Sequence, residues 1–161
     1  MKIKILDFEK VARCYKPYID GITILEKRSN DLSEELGNFQ KQAQEIMANA
    51  SGNGLVLDEA TLQSKQQEAQ EQVQRLQQEA MLKDRTFKQE ADEEQRRLVT
   101  EAYTGITDIV NEFISIGNDV EIVLNRSEVV FFKEEHDLTN TVIEILKEKS
   151  LFVEDSLVEQ G

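Results

Sequence analysis

Between Ile22 and Ala50, apolar side chains recur in alternating steps of three and four: Ile22, Leu25, Leu32, Leu36, Phe39, Ala43, Ile46 and Ala50, with Ser29 the one break. A repeat averaging about 3.5 residues keeps one narrow stripe of a helix turned toward a second helix. The cluster Ser51-Gly52-Asn53-Gly54 then interrupts the pattern with residues that favour turns. Beyond it, Asp58 or Thr61 can cap a second helix that the pattern carries to about Ile116, where Gly117-Asn118 stops it. The second seam is thinner, with Leu62, Ala69, Val73, Leu76 and Ala80 on it and Gln66 and Lys83 at two sites where apolar residues are expected. After Ala80 the stripe slips by about one residue and continues through Phe87, Ala91, Leu98 and Ala102, which changes the local supercoil. Two long seamed helices joined by a short turn predict an antiparallel coiled-coil hairpin. Gly37 lies off the seam and costs about 1 kcal/mol of helix propensity against alanine.

A hairpin with so thin a seam cannot bury a thick core. The large apolar residues concentrate near the start of the chain and again from Ile106 to Phe152, so the two ends have to meet. Lys2 to Leu6 alternates as a strand, Asp7 can cap a helix, and Pro17 marks a place where that helix restarts. Asp119 to Asn125 alternates again, with Val120, Ile122 and Leu124 on one face. Asn125-Arg126-Ser127 reads as a turn into a second strand, Glu128 to Phe132, apolar on both sides. Asp137 or Thr139 then caps a last helix carrying Val142, Ile143 and Leu146, with Lys147 and Lys149 in its final turn. The expected fold class is α+β. Residues 1–21 and 118–149 form a small β-rich head, residues 22–117 a hairpin arm with its tip near 51–57, and residues 150–161 an acidic tail. That tail holds two apolar pairs, Leu151-Phe152 and Leu157-Val158, and is expected either to fray or to dock briefly.

The formal net charge is −13 and no segment carries a basic excess large enough to condense on phosphate, which argues against nucleic acid and against anionic membrane surfaces as partners. No stretch approaches the roughly 20 apolar residues of a membrane span, so membrane insertion is not expected. Met1 leads straight into the first strand pattern without a secretory leader, which predicts a cytoplasmic protein. A processed or re-engineered form would be periplasmic, and a virus-encoded relative is a further setting. The single cysteine, Cys14, reads as a small buried residue. The cluster Glu134-Glu135-His136-Asp137 holds the sole histidine and reads as a solvated turn, not a metal site. With no nucleophile–base constellation and no glycine-rich phosphate loop, no catalytic residue, cofactor or metal is expected, and the chain does not read as an enzyme.

The order strand, helix, turn, helix, hairpin, helix resembles the Skp/OmpH family of periplasmic chaperones. Ile3-Lys4-Ile5-Leu6-Asp7-Phe8-Glu9-Lys10-Val11 is similar to the family's opening strand, and Asp119 through Leu124 to its strand after the second arm. Val129 to Phe132 is similar to the partner strand, and Asp137-Leu138-Thr139 with Val142 and Leu146 to the start of its closing helix. Residues 3–149 are spanned in this way. The arms differ from the basic arms of familiar members in being near-neutral to acidic, so the family's client class is not carried over.

The resemblance implies a homotrimer whose strands join in a common head and whose arms surround unfolded or unassembled client protein without nucleotide. For the shared head it points to Ile3, Ile5, Phe8, Val120, Ile122, Leu124, Val129 and Phe131. A sheet this small has edges that must be paired or covered, and threefold closure would do so. The client-binding candidates are Phe39, Ile46, Met47, Leu62 and Phe87. Most seam residues are expected to hold the two helices together, whereas Met47 and Phe87 suit a client better, because methionine adapts to irregular partners and an isolated aromatic is costly unless it meets something. The alternative is a coiled-coil structural or assembly component of a larger particle, cellular or viral. A prefoldin-like reading fits less well, since there the strands lie between the two helices.

Overall fold

The computed structural model describes residues 2–52, 56–117 and 119–155. Its elements are β1 (Lys2–Leu6), α1 (Phe8–Cys14), α2 (Lys16–Ala50), α3 (Glu59–Ser115), β2 (Val120–Asn125) and α4 (Thr139–Glu148), with short 3₁₀ turns at Arg126–Glu128 and Glu134–His136. The fold is α+β, a long helical hairpin with a small two-stranded sheet. The chain divides into a hairpin unit, Leu25–Glu93, and a terminal unit formed by the chain up to Ile24 and from Glu94 onward. The last part of α3 thus belongs with the chain ends, where periodicity alone assigns it to the hairpin.

Local chemistry sets the boundaries. The Asp7 carboxylate accepts a hydrogen bond from the Lys10 N–H at 3.2 Å and starts α1, while the Asp7 N–H donates to the Thr139 hydroxyl at 2.8 Å. Tyr15 is extended and interrupts the helix, and Pro17 then sits in the first turn of α2, where a missing N–H costs little. Asp58 caps α3 by accepting from the Thr61 N–H at 2.9 Å, and hydrogen bonding to Thr61 holds its carboxyl below the usual range. Gly117 follows α3 with a left-handed backbone, φ 105°, which a side chain would strain. Asn118 and the Asn53-Gly54 pair lie outside the described residues.

The terminal unit has one core. Val11 of α1, Ile106 of α3, and Val142 and Leu146 of α4 are fully buried, joined by Leu6, Cys14, Ile109, Leu138 and Ile143. Burying each large side chain contributes about 1.5–3 kcal/mol against conformational entropy. Cys14 is one of these core residues, and burial pushes its thiol up, away from the reactive thiolate.

β1 pairs with β2 in parallel, Ile3 opposite Ile122 and Ile5 opposite Leu124. Between Lys2 and Ile3 the register shifts: Lys2 is opposite Val120, so β2 carries one extra residue. The bulge corrects the expected face of β2. Val120 is buried and Val123 packs against the core, whereas Ile122 and Leu124 stay partly open. On the other side of β1, the Leu138 N–H donates to the Ile5 carbonyl at 2.8 Å.

The expected strand at Glu128–Phe132 is absent, so β2 is not half of a β-hairpin. Its partner is β1, and after the 3₁₀ turn the chain passes through Val129–Lys133 without joining the sheet. Apolar, β-favouring residues make a segment ready to extend, but the chain leaves β2 through the 3₁₀ turn at Arg126–Glu128 instead of a hairpin turn. Val130 is fully exposed and Phe131 is 80% exposed.

Residues 151–155 of the tail dock. Ser150 is left-handed, φ 58°, and its N–H donates to Lys147, while the Leu151 N–H donates back to Leu146 at 2.9 Å. This is the bond pair of a Schellman ending, usually built on glycine. It turns residues 151–155 back along the end of α1. Leu157-Val158 lies outside the described residues.

Two predictions follow from local geometry. A methyl at Gly21 would overlap both Cδ carbons of buried Leu98, whereas one at Gly37 meets nothing. Gly21→Ala is therefore expected to destabilise by about 1–3 kcal/mol and Gly37→Ala to stabilise by about 1 kcal/mol, as read by urea unfolding. Ser150→Gly is expected to stabilise by roughly 1 kcal/mol; a lower midpoint for that variant would contradict the left-handed ending.

Candidate functional site

The hairpin unit carries its apolar residues on a seam too thin to cover them. Ala50 and Ala69 are buried, but Leu32, Leu36, Phe39 and Ile46 on α2 and Leu62, Val73 and Leu76 on α3 all stay half-exposed. Two helices alone cannot enclose side chains of that size. An open groove of about 760 Å³ runs beside the seam, lined by Leu36, Phe39, Ala43, Leu76, Ala80 and Met81 among others. A second, of about 380 Å³, lies by Ile46 and Leu76.

Lys83, at a position where the repeat calls for an apolar residue, explains how the seam tolerates charge. Its stem is half-buried while its ammonium bonds the Glu35 carboxylate and stands 5.7 Å above the Phe39 ring. The bond to Glu35 pushes its pKa up. A reciprocal arrangement joins the helices elsewhere. Arg28 of α2 lies 2.8 Å from Glu90 and 5.6 Å above the Phe87 ring of α3. Each aromatic is thus roofed by a cation from the opposite helix, and that cation is tied to an acid on the aromatic's own helix.

The five client candidates therefore differ in setting. Phe39 and Phe87 are half-buried beneath cations, Ile46 and Leu62 half-buried on the seam, and Met47 is 39% exposed at its edge. Met81 and Leu82, not singled out from the sequence, are more exposed, 64% and 63%. They interrupt a Gln- and Glu-rich stretch off the seam, a signal that reading the seam alone passes over.

In the terminal unit, Ile5 and Val120 belong to the chain's own core, and Ile3, Phe8 and Val129 are half-buried. Ile122, Leu124 and Phe131 remain open. Phe8 stacks at a tilt on Tyr103, centroids 5.3 Å apart, and the two rim a groove of about 360 Å³ with Leu6, Val110, Ile114 and Val123. Tyr103 belongs to a second stripe on α3. Leu98, Ala102, Ile106 and Ile109 face the core, and one residue along, Val99, Tyr103, Val110 and Ile114 form a parallel row that ends at this groove. The sequence carries this doubled spacing, but a single seam accounts for only one of the two rows.

Among the described residues no group of three His, Cys, Asp or Glu side chains is placed to hold a metal ion, and no helix is long and apolar enough to cross a membrane. His136 is exposed, its Nε2 3.6 Å from Glu135.

The two roofed aromatics give a test of hairpin register. In double-mutant cycles, Arg28 is expected to couple to Phe87 by about 0.5–1 kcal/mol. Its coupling to Glu90 should shrink on going from low to high salt while the coupling to the ring persists. Zero coupling in both would mean that the helices pair in another register.

A family model described as "Outer membrane protein (OmpH-like)" matches residues 2–146, which takes in both strands, the whole hairpin and most of α4. No curated protein matches the chain.

Proposed function

The chain belongs to the OmpH-like family, whose members are non-enzymatic chaperones, and on that basis we propose that it is an ATP-independent holdase that keeps unfolded or unassembled client protein among the hairpins of a homotrimer. The observation that carries this reading is the open groove of the hairpin unit. Apolar side chains there are numerous enough to hold a non-native segment, and they stay half-exposed because the hairpin cannot cover them. Polar Gln40, Gln44, Gln77 and Asp84 on its margins keep that surface hydrated between clients. Of the expected client-binding candidates Ile46, Met47 and Leu62 are retained, Phe39 and Phe87 lying beneath cations, and Met81 and Leu82 are added on exposure.

Self-association is supported from the terminal unit. Val130 and Phe131 are open, and Ile122 and Leu124 are partly open. A soluble chain with this much large apolar surface beside a two-stranded sheet gains by covering it with copies of itself. The compartment the family implies is the periplasm.

Light scattering coupled to size exclusion is expected to give three times the 18.5 kDa chain mass. Phe131→Asp should reduce that mass by placing a charge in the shared interface; an unchanged mass would remove Phe131 from it. The trimer should suppress aggregation of several unrelated unfolded proteins without nucleotide. Met47→Glu combined with Met81→Glu should lose at least half of that protection at unchanged mass and unfolding midpoint. Full protection by the double variant would place client elsewhere.

A further inference from the structure

The break between α1 and α2 leaves backbone groups that the helices do not satisfy, and the chain end supplies partners. The Lys16 N–H donates to the Leu151 carbonyl at 2.8 Å, and the Cys14 carbonyl accepts from the Val153 N–H at 2.9 Å. Between them Tyr15 and Phe152 form an antiparallel bridge. Two side-chain contacts hold the ends of this pairing. Lys147 of α4 stands 4.9 Å above the Phe152 ring, and Arg13 Nε lies 2.9 Å from Asp155 Oδ2, whose side chain is only 8% exposed.

The arrangement has the properties of a fastening and not of a core. Its pairing is short, and Leu151, Phe152 and Val153 are all half-buried, while the fully buried residues lie elsewhere. It is entered through Ser150, a non-glycine residue held left-handed, a conformation that persists only while the surrounding contacts impose it. It lies beyond residue 146, where the family match ends. It also acts on one place, the extended residue Tyr15, whose carbonyl receives the first N–H groups of α2, from Tyr18 and Ile19.

We propose that residues 151–155 are a detachable latch that closes the α1–α2 joint, fixing where α2 begins. When the latch is docked, the Cys14 carbonyl and Lys16 N–H are paired and the first turn of α2 is held. When it lifts, those groups pass to water and the joint opens locally, with the core of Val11, Ile106, Val142 and Leu146 intact. This inference does not depend on the chaperone reading.

Amide hydrogen exchange separates a latch from a piece of the core. In a chain ending at Ser150, the amides of Lys16, Tyr18 and Ile19 are expected to exchange at least tenfold faster than in the full chain. The amides of Leu138, bonded to Ile5, and Val142 should keep their rates. Arg13→Gln in the full chain should move the same amides, by a smaller factor, and no others. Unchanged rates at Lys16 would overturn the proposal, since the segment would then not hold the joint. Acceleration extending to Leu138 and Val142 would overturn it equally, since residues 151–155 would then be core.

Discussion

Burial of Ile106 together with Val11, Val142 and Leu146 is the constraint on which the rest depends. These four side chains come from widely separated parts of the sequence, and all lose their solvent exposure. Because Ile106 lies on α3 and Val11 on α1, their association holds the last part of α3 against α1, with α4 closing the cluster. The pairing of β1 with β2 and the cap that Asp7 shares with Thr139 both rest on that association. A hairpin with only alanines buried on its seam would not hold its register alone. Within the hairpin unit, the cation-roofed rings at Phe39 and Phe87 supply registration.

What was legible in the sequence followed from periodicity and from capping chemistry. The long helices, the restart near Pro17 and the break after Ala50, the caps at Asp7 and Asp58, and the closing helix all depend on interactions between near neighbours in the chain. The misses share a different cause, in that each depends on what lies across a gap. Val129–Phe132 finds no partner strand in the sheet, and alternation does not encode pairing. The inward face of β2 is decided by one extra residue at Glu121, and a single-residue bulge reverses every side chain after it. Lys83 looked like a flaw in the seam until its partners on the opposite helix were known. For the candidate site, the seam residues could be named, but not which of them end beneath a cation and which remain open.

The hairpin unit separates two uses of an apolar side chain. Phe39 and Phe87 serve registration, each shielded by a cation whose stem also covers apolar surface. Met81 and Leu82 have no such roof and lie where a partner can reach them. Registration and exposure thus fall to different residues of the same helix pair.

The parallel pairing of β1 with β2 also sets an order of events in folding. Residue 6 and residue 120 are joined by a loop of more than a hundred residues, and closing it from an open chain costs entropy that grows with the logarithm of its length. Once the helices have zipped so that Gly105 lies against Tyr15, the remaining loop is about a quarter as long, which lowers the closure cost by on the order of 1 kcal/mol. Helix pairing from the turn after Ala50 is therefore the cheap route to the sheet, and strand pairing comes late. During synthesis at roughly 5–20 residues per second, β1 emerges first and waits for β2 on the order of ten seconds, with Ile3 and Ile5 unpaired. A protein of this build is, for that interval, itself a chain with an unsatisfied strand.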